Sequence, residues 1–259
     1  MINKTKYILI LQIILSCTSD LFPAKIFIDL GDVIIKTSKA KSFMSIFSDA
    51  LKFVFSGFSP LNLREDFEQF LSKHYGQDPV SGLPCVYRWW HEGKISNDDL
   101  VVDFKDKIEK SNLPPAKKQL YKKIAEFYGQ EKLIELTKIS SKAVRTIKQL
   151  QDNGHEIFIV SNWDKDSFPD LYNKFKDFFI TINPNNLIIS GHIGLIKPDK
   201  EIFDHIKNKF KLSTSQMQEC WFIDDRQENI SSASNQGFNT IKHENWHKTK
   251  NILKQNKLI

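Results

Sequence analysis

The chain has 259 residues, of which 41% are hydrophobic and 26% charged, an ordinary balance for a globular protein long enough to bury a full core and carry an insertion. Its net charge of +6 suits anionic substrates or surfaces, but the lysines are scattered and there is no arginine-aromatic motif or zinc-ligand spacing, so nucleic-acid recognition drops out. The three cysteines, Cys17, Cys85 and Cys220, form neither a CxxC pair nor a disulfide framework.

Residues 1–24 read as a signal or targeting segment. Lys4 and Lys6 precede the apolar run from Tyr7 to Ser16, and small and polar residues follow through Ser19, which is the order of a secretory signal. The run is short for a membrane span. Ile14-Leu15-Ser16-Cys17 also resembles a bacterial lipoprotein cleavage box. The expectation is an exported or periplasmic protein with transient membrane contact through this segment. The alternative is a cytoplasmic protein whose N-terminal helix packs on the fold.

Lys25 to Leu30 is a β-rich apolar run ended by Gly31, the pattern of a buried strand. From about Ser38 to Ile139 the pattern is helical, with Phe67, Phe70, Leu71 and His74 on one face. Gly93 ends one helix, Ser96-Asn97-Asp98-Asp99 caps the next, and Pro114-Pro115 precedes a long helix from Ala116 toward Lys138. After Ser140 helices and strands alternate. Ala143, Val144, Ile147 and Leu150 form a stripe stopped by Asn153-Gly154; Glu156 to Val160 is a strand; Lys200 to Phe210 is a helix; Cys220 to Ile223 is a strand; Asn229 to Gln236 is a helix; and Thr240-Ile241 begins a last strand. Such alternation predicts an α/β fold, a Rossmann-like parallel sheet core with helices on both faces. The core comprises residues 25–37 and 140–259, with 38–139 inserted as a helical cap.

This arrangement puts Asp29, Ser161 and Asp225 at or just past the C-terminal ends of strands, where open α/β sheets bind ligands. Carboxylates remote in sequence can converge there. A nucleophile, a hydroxyl, a cation (Lys197) and an acidic pair (Asp224-Asp225) are what is needed to hold and attack a phosphoryl group.

Taken in order, Asp29-Leu30-Gly31-Asp32-Val33, Val160-Ser161-Asn162, Ile196-Lys197-Pro198-Asp199 and Phe222-Ile223-Asp224-Asp225 resemble the four motifs of the haloacid dehalogenase (HAD)-like hydrolase superfamily, in its branch with a helical cap after the first strand. The first is similar to the Asp-Leu-Gly-Asn-Val wording of a sugar-phosphate phosphatase group. Glu92-Gly93-Lys94-Ile95-Ser96 resembles a helix junction common in such caps. The resemblance covers about Lys25 to Ile241 and implies a Mg²⁺-dependent phosphohydrolase acting on a small phosphorylated substrate. It makes Asp29 the nucleophile of an aspartyl-phosphate intermediate, with Asp29, Asp225 and the Gly31 carbonyl as metal ligands. Ser161, Asn162 and Lys197 then bind phosphate, Asp224 fixes Lys197 or the metal's waters, and Asn229 gives support.

One departure matters. Most phosphatases of this superfamily carry a second aspartate two residues after the nucleophile, and here that position is Gly31. His91 or Glu92 of the cap either substitutes for it when the cap closes over the site or has a simple surface role, and substrates with good leaving groups are favoured. Tyr87, Arg88, Trp89 and Trp90 either grip a sugar or second anionic group, or pack the cap's own core. Two other readings stand beside the phosphatase. A haloacid dehalogenase-type hydrolase is argued against by Asp224-Asp225, whereas a noncatalytic HAD-fold binding protein draws support from Gly31 and the export segment.

Overall fold

In the computed structural model, which describes residues 23–37, 63–128 and 132–259, apolar strands assemble a five-stranded sheet. The targeting segment with Cys17, and the first part of the helical stretch (38–62), lie outside the described residues. The strands are β1 (Lys25–Ile28), β2 (Ile35–Thr37), β3 (Thr137–Ile139), β4 (Glu156–Ser161), β5 (Leu187–Ile189), β6 (Trp221–Asp224) and β7 (Asn239–Lys242). The main sheet runs β5-β4-β1-β6-β7 with every neighbouring pair parallel, while β2 and β3 form a separate antiparallel ribbon. The longer helices are α1 (Leu63–Tyr75), α2 (Cys85–His91), α3 (Asn97–Lys110), α4 (Pro115–Glu126), α5 (Ser141–Asp152), α6 (Phe168–Lys174), α7 (Lys200–Lys209), α8 (Gln227–Asn235) and α9 (Trp246–Gln255). Among the described residues no helix is long and apolar enough to cross a membrane.

Side-chain alternation in β1 distributes the core. Ile26 and Ile28 face a layer with Ile147 and Leu150 of α5 and Leu253 of α9. Phe27 points the other way, stacked on Phe158 (centroids 4.4 Å apart) in a layer with Phe203 and Ile206 of α7 and Ala233 of α8. Both faces of the sheet are therefore covered, as a parallel sheet requires. The fold is the predicted α/β class with helices on both faces.

Helices α1–α4 close around a core of their own. Phe67 meets Phe104 and Tyr121 edge-on, with centroids 5.8 and 5.1 Å away, and Leu71, Val86 and Leu100 fill the space beside them. Local signals set the boundaries. Ser96 accepts a hydrogen bond from the Asp99 amide (3.1 Å) at the start of α3, Pro115 sits in the first turn of α4, and Ser140 accepts from the Ala143 amide (3.3 Å) before α5.

The expected helical face of Phe67, Phe70, Leu71 and His74 lies on α1, with the first three residues buried and His74 exposed, its Nδ1 2.9 Å from the Phe70 carbonyl oxygen. One sequence expectation needs correcting. The helix drawn from Ala116 toward Lys138 ends at Glu126, and after a one-turn helix (Lys132–Glu135) the chain becomes β3. Pairing with β2 across the sequence decides this, and β-branched Thr137 and Ile139 suit it.

The end of α2 seats on the sheet's C-terminal edge. Gly93 has φ +69°, and a Cβ there would lie 2.4 Å from the Gly191 carbonyl oxygen, so main chain meets main chain. Ser190 Oγ donates to the His91 carbonyl (2.7 Å), and the Asn97 amide donates to Asp166 Oδ2 (2.9 Å).

Candidate active site

Where β1 ends, the run of apolar residues gives way to Asp29. Ile28 pairs with Ile159 of β4 and Ile223 of β6, so the next residues along the three strands, Asp29, Val160 and Asp224, lie level. The Asp29 amide still donates to the Ile223 carbonyl (3.0 Å). The chain then turns tightly, the Leu30 carbonyl accepting from the amides of Ile34 (2.9 Å) and Ile35 (2.8 Å). Asp32 takes up φ +55° in this turn, a left-handed conformation that Asp tolerates better than most side chains.

Lys197 occupies the centre. Its buried Nζ donates to Asp29 Oδ1 (2.6 Å), Asp224 Oδ2 (2.7 Å) and the Val160 carbonyl (2.8 Å), using all the hydrogens of an ammonium. Its main chain is clasped by one side chain: the Lys197 amide donates to Asn162 Oδ1 (2.9 Å) and Asn162 Nδ2 donates to the Lys197 carbonyl (2.8 Å). One hydrogen of the Asn162 amide stays available to a ligand.

Asp224 is fully buried and held from the other side. Its Oδ1 accepts from the Arg226 amide (2.9 Å) and from Asn229 Nδ2 (2.9 Å). Asn229 is itself buried, yet its Oδ1 has no partner among the described residues. Leaving a buried acceptor unmade costs about 1–3 kcal/mol, so an orphaned oxygen beside clustered carboxylates marks a ligand-facing group.

Asp29, Asp224 and Asp225 each offer an oxygen, all within 4.8 Å of one another. Burial pushes the Asp29 carboxyl up to about 7; Lys197 pulls it back, while Asp224 and Asp225 push it further up. Half-buried Asp225 is also raised, by burial and then by Asp224 and Asp32. For Lys197 burial works against the charge, but Asp224 and Asp29 outweigh it and hold the ammonium above its ordinary value. The site is short of positive charge.

A cavity of about 340 Å³ opens over this cluster. Asp29, Gly31, Ser161, Asn162, Lys197, Asp225 and Asn229 line it from the sheet, and Tyr87, Arg88, Trp90 and His91 from the helical block. Fully buried Asp224 stands behind Lys197, outside the lining. A larger groove of about 670 Å³ between α5 and the segment around Phe175 and Phe178 contains none of the motif residues and has no constellation suited to chemistry.

Gly31 is not forced by space. A Cβ there would meet only Asp29 Oδ2, at an ordinary 3.8 Å. Of the two substitutes considered for the missing carboxylate, His91 lines the cavity and is pushed down to about 4 by burial and the Arg226 charge, which keeps it neutral near pH 7. Glu92 is held instead by Arg88 Nε (3.0 Å) and Lys94 Nζ (2.6 Å) and lies outside the lining. In the aromatic run, Tyr87 and Trp90 are buried in the helical core, Trp89 is exposed, and Arg88 reaches across to Asp199. Asp199 stands at the end of the third motif segment without a role assigned from sequence, and Arg226 has as its sequence signal only its adjacency to Asp224-Asp225.

A family model for haloacid dehalogenase-like hydrolases matches residues 26–237, a span that contains all four motif segments. The chain belongs to that family. No curated protein matches this HAD-like hydrolase by sequence. Among solved structures it is similar to a predicted HAD-like family hydrolase from Porphyromonas gingivalis (18% identity, covering 90% of this chain and 98% of that one, TM-score 0.54). It is also similar to a HAD family enzyme from Bacteroides thetaiotaomicron in complex with magnesium and inorganic phosphate (16% identity, 88% and 98% coverage, TM-score 0.52). A third is a 2-haloacid dehalogenase from Pseudomonas syringae (14% identity, 90% and 99% coverage, TM-score 0.50). At these identities the likeness speaks for the HAD-like fold, which houses more than one chemistry.

Proposed function

We propose that this HAD-like hydrolase is a Mg²⁺-dependent phosphohydrolase that acts on a small phosphorylated metabolite through an aspartyl-phosphate on Asp29. The observation that carries the reading is the Lys197 ammonium shared between Asp29 and Asp224, with Asp225 beside them, at the mouth of one cavity. The residues fit a hard cation: the donors are all oxygens, and the unpartnered Asn229 Oδ1 suits a water of the ion's hydration shell. Asp29, Asp225 and the Gly31 carbonyl would hold the ion. Bound there, it supplies the positive charge that offsets repulsion between Asp29 and the phosphate. The Bacteroides thetaiotaomicron enzyme's complex with magnesium and inorganic phosphate supports this choice of ligands.

In this reading an Asp29 carboxylate oxygen attacks phosphorus and the bond to the leaving oxygen breaks. Ser161 and Asn162 hold the phosphoryl oxygens in position, and Lys197, whose hydrogens go to Asp29, Asp224 and the Val160 carbonyl, adds its positive charge beside the phosphoryl group. Water then attacks the phosphorus of the acyl phosphate, which releases phosphate and restores Asp29. Gly31 can donate no proton to the leaving oxygen, so substrates with low-pKa leaving groups react faster. The helical block acts as a cap over the core and excludes bulk water. Residues 1–24 direct export, which places the activity outside the cytoplasm.

A phosphate-release screen over phosphorylated metabolites with Mg²⁺, comparing the parent chain with Asp29→Asn, tests the proposal. Release by the parent, lost on Asp29→Asn or on addition of a chelator, is expected. Equal release by both chains refutes the nucleophile, and chelator-resistant dehalogenation without phosphate release points to the dehalogenase chemistry instead.

A further inference from the structure

Arg88 is the only Lys or Arg that the helical block contributes to the cavity lining among the described residues. It is already committed to the protein. Its guanidinium makes a two-pronged contact with Asp199 (Nη1 to Oδ1 3.2 Å, with Nη2 close on Oδ2), places Nε 3.0 Å from Glu92 Oε1, and lies 3.6 Å from Asp78 Oδ2. Lys94 Nζ, 2.6 Å from Glu92 Oε2, is the other cation of the group, so three carboxylates face two positive charges. The remaining cations of the lining are spent as well: Lys197 on Asp29 and Asp224, and Arg226 on Glu228.

We propose that Arg88, Asp78, Glu92 and Asp199 together form a specificity filter that rejects substrates with a second anionic group, so that the half of the substrate remote from phosphorus is uncharged or cationic. This rests on the phosphohydrolase reading and narrows its substrate class. A free arginine beside aromatic rings would be a clamp for a carboxylate or second phosphate. Here the fork is filled: Glu92 and Asp199 stand behind the cavity wall and neutralise the guanidinium, so an incoming anion meets the Asp78 carboxylate of the lining without a free cation to offset it, in a partly desolvated cavity where like charges repel strongly. The rings of Tyr87, Trp90 and Tyr128 in the lining offer apolar faces that suit an uncharged or cationic group.

The test measures binding, which needs no turnover. Benzylphosphonate and 4-carboxybenzylphosphonate are titrated calorimetrically into the full chain with Mg²⁺. The parent is expected to bind the uncharged-ring ligand at least about tenfold more tightly, a ratio of the size that one like-charge contact produces. Combining Asp78→Asn with Asp199→Asn narrows that ratio, and Arg88→Met widens it. Equal or tighter binding of the carboxylated ligand by the parent overturns the filter, as does failure of both ligands to bind or an unchanged ratio in the combined Asp78→Asn and Asp199→Asn variant. Phosphate release from phenyl phosphate is followed in parallel. Selective binding without release sinks the turnover reading and leaves the filter standing.

Discussion

Lys197 Nζ lies 2.6 Å from Asp29 Oδ1 across 168 residues of sequence, and the same ammonium holds Asp224 at 2.7 Å. All three groups are buried. Taking charges out of water is costly, and the arrangement persists because each carboxylate keeps a close cation or several N–H donors. The shared ammonium thereby limits the repulsion between Asp29 and its acidic neighbours.

Replacing the cation exposes that balance. Lys197→Met leaves two buried carboxylates without their shared partner, and a loss of about 3–5 kcal/mol in urea unfolding is expected in metal-free protein. Phosphate release should fall by at least about 100-fold even where the variant is folded, because charge stabilisation at the transferring group is lost. Wild-type stability together with wild-type turnover would show that the contact is incidental.

The raised Asp29 carboxyl gives a pH signature with a definite sign. Its folded-state value is about 7 against an ordinary 3.8, chiefly through burial, so between those limits the native state holds a proton that the unfolded chain has released. In chelator, this group's contribution to stability is therefore present below about pH 4 and lost as pH rises toward about 7. Asp29→Asn should flatten that part of the profile, which denaturant midpoints at several pH values will reveal. An unchanged slope in the variant excludes Asp29 as the source.

Gly93→Ala tests how the helical block is seated. The residue has φ +69°, which costs an alanine about 1–2 kcal/mol, and its new methyl would fall 2.4 Å from the Gly191 oxygen. Gly154→Ala is the matched control, with φ +85° but nothing within 4 Å. The Gly93 variant is expected to be less stable than the control by at least about 1 kcal/mol and to lose activity as α2 shifts, since overpacking adds to strain. Equal thermal midpoints for the two variants would show that the close approach carries no weight.

Much of the sheet was legible because chemistry and burial coincide. β1, β4 and β6 each announce themselves as apolar runs ending in a polar residue, and α5 and α7 carry strong helical stripes. β5 did not, since Leu187–Ile189 has only three residues and takes its strand character from pairing with β4. The β2–β3 ribbon was hidden for the same reason. The motif segments themselves could be read in order, and the structure brings Asp29, Ser161, Lys197 and Asp225 into one cavity. Contacts that depend on how the helical block docks, such as Arg88 with Asp199 over 111 residues, leave no local trace. Nor does the Asn162 clasp, because an asparagine after a strand reads equally well as a turn or a ligand.

The meeting of Gly93 with Gly191 has a broader implication. The block is fastened through peptide groups, whereas the surfaces it turns toward the cavity are side chains of the turn before. The Arg88 side chain adds to that joint through Asp199. The ring residues of α2 could diverge from one relative to another without touching the main-chain contact that seats the block.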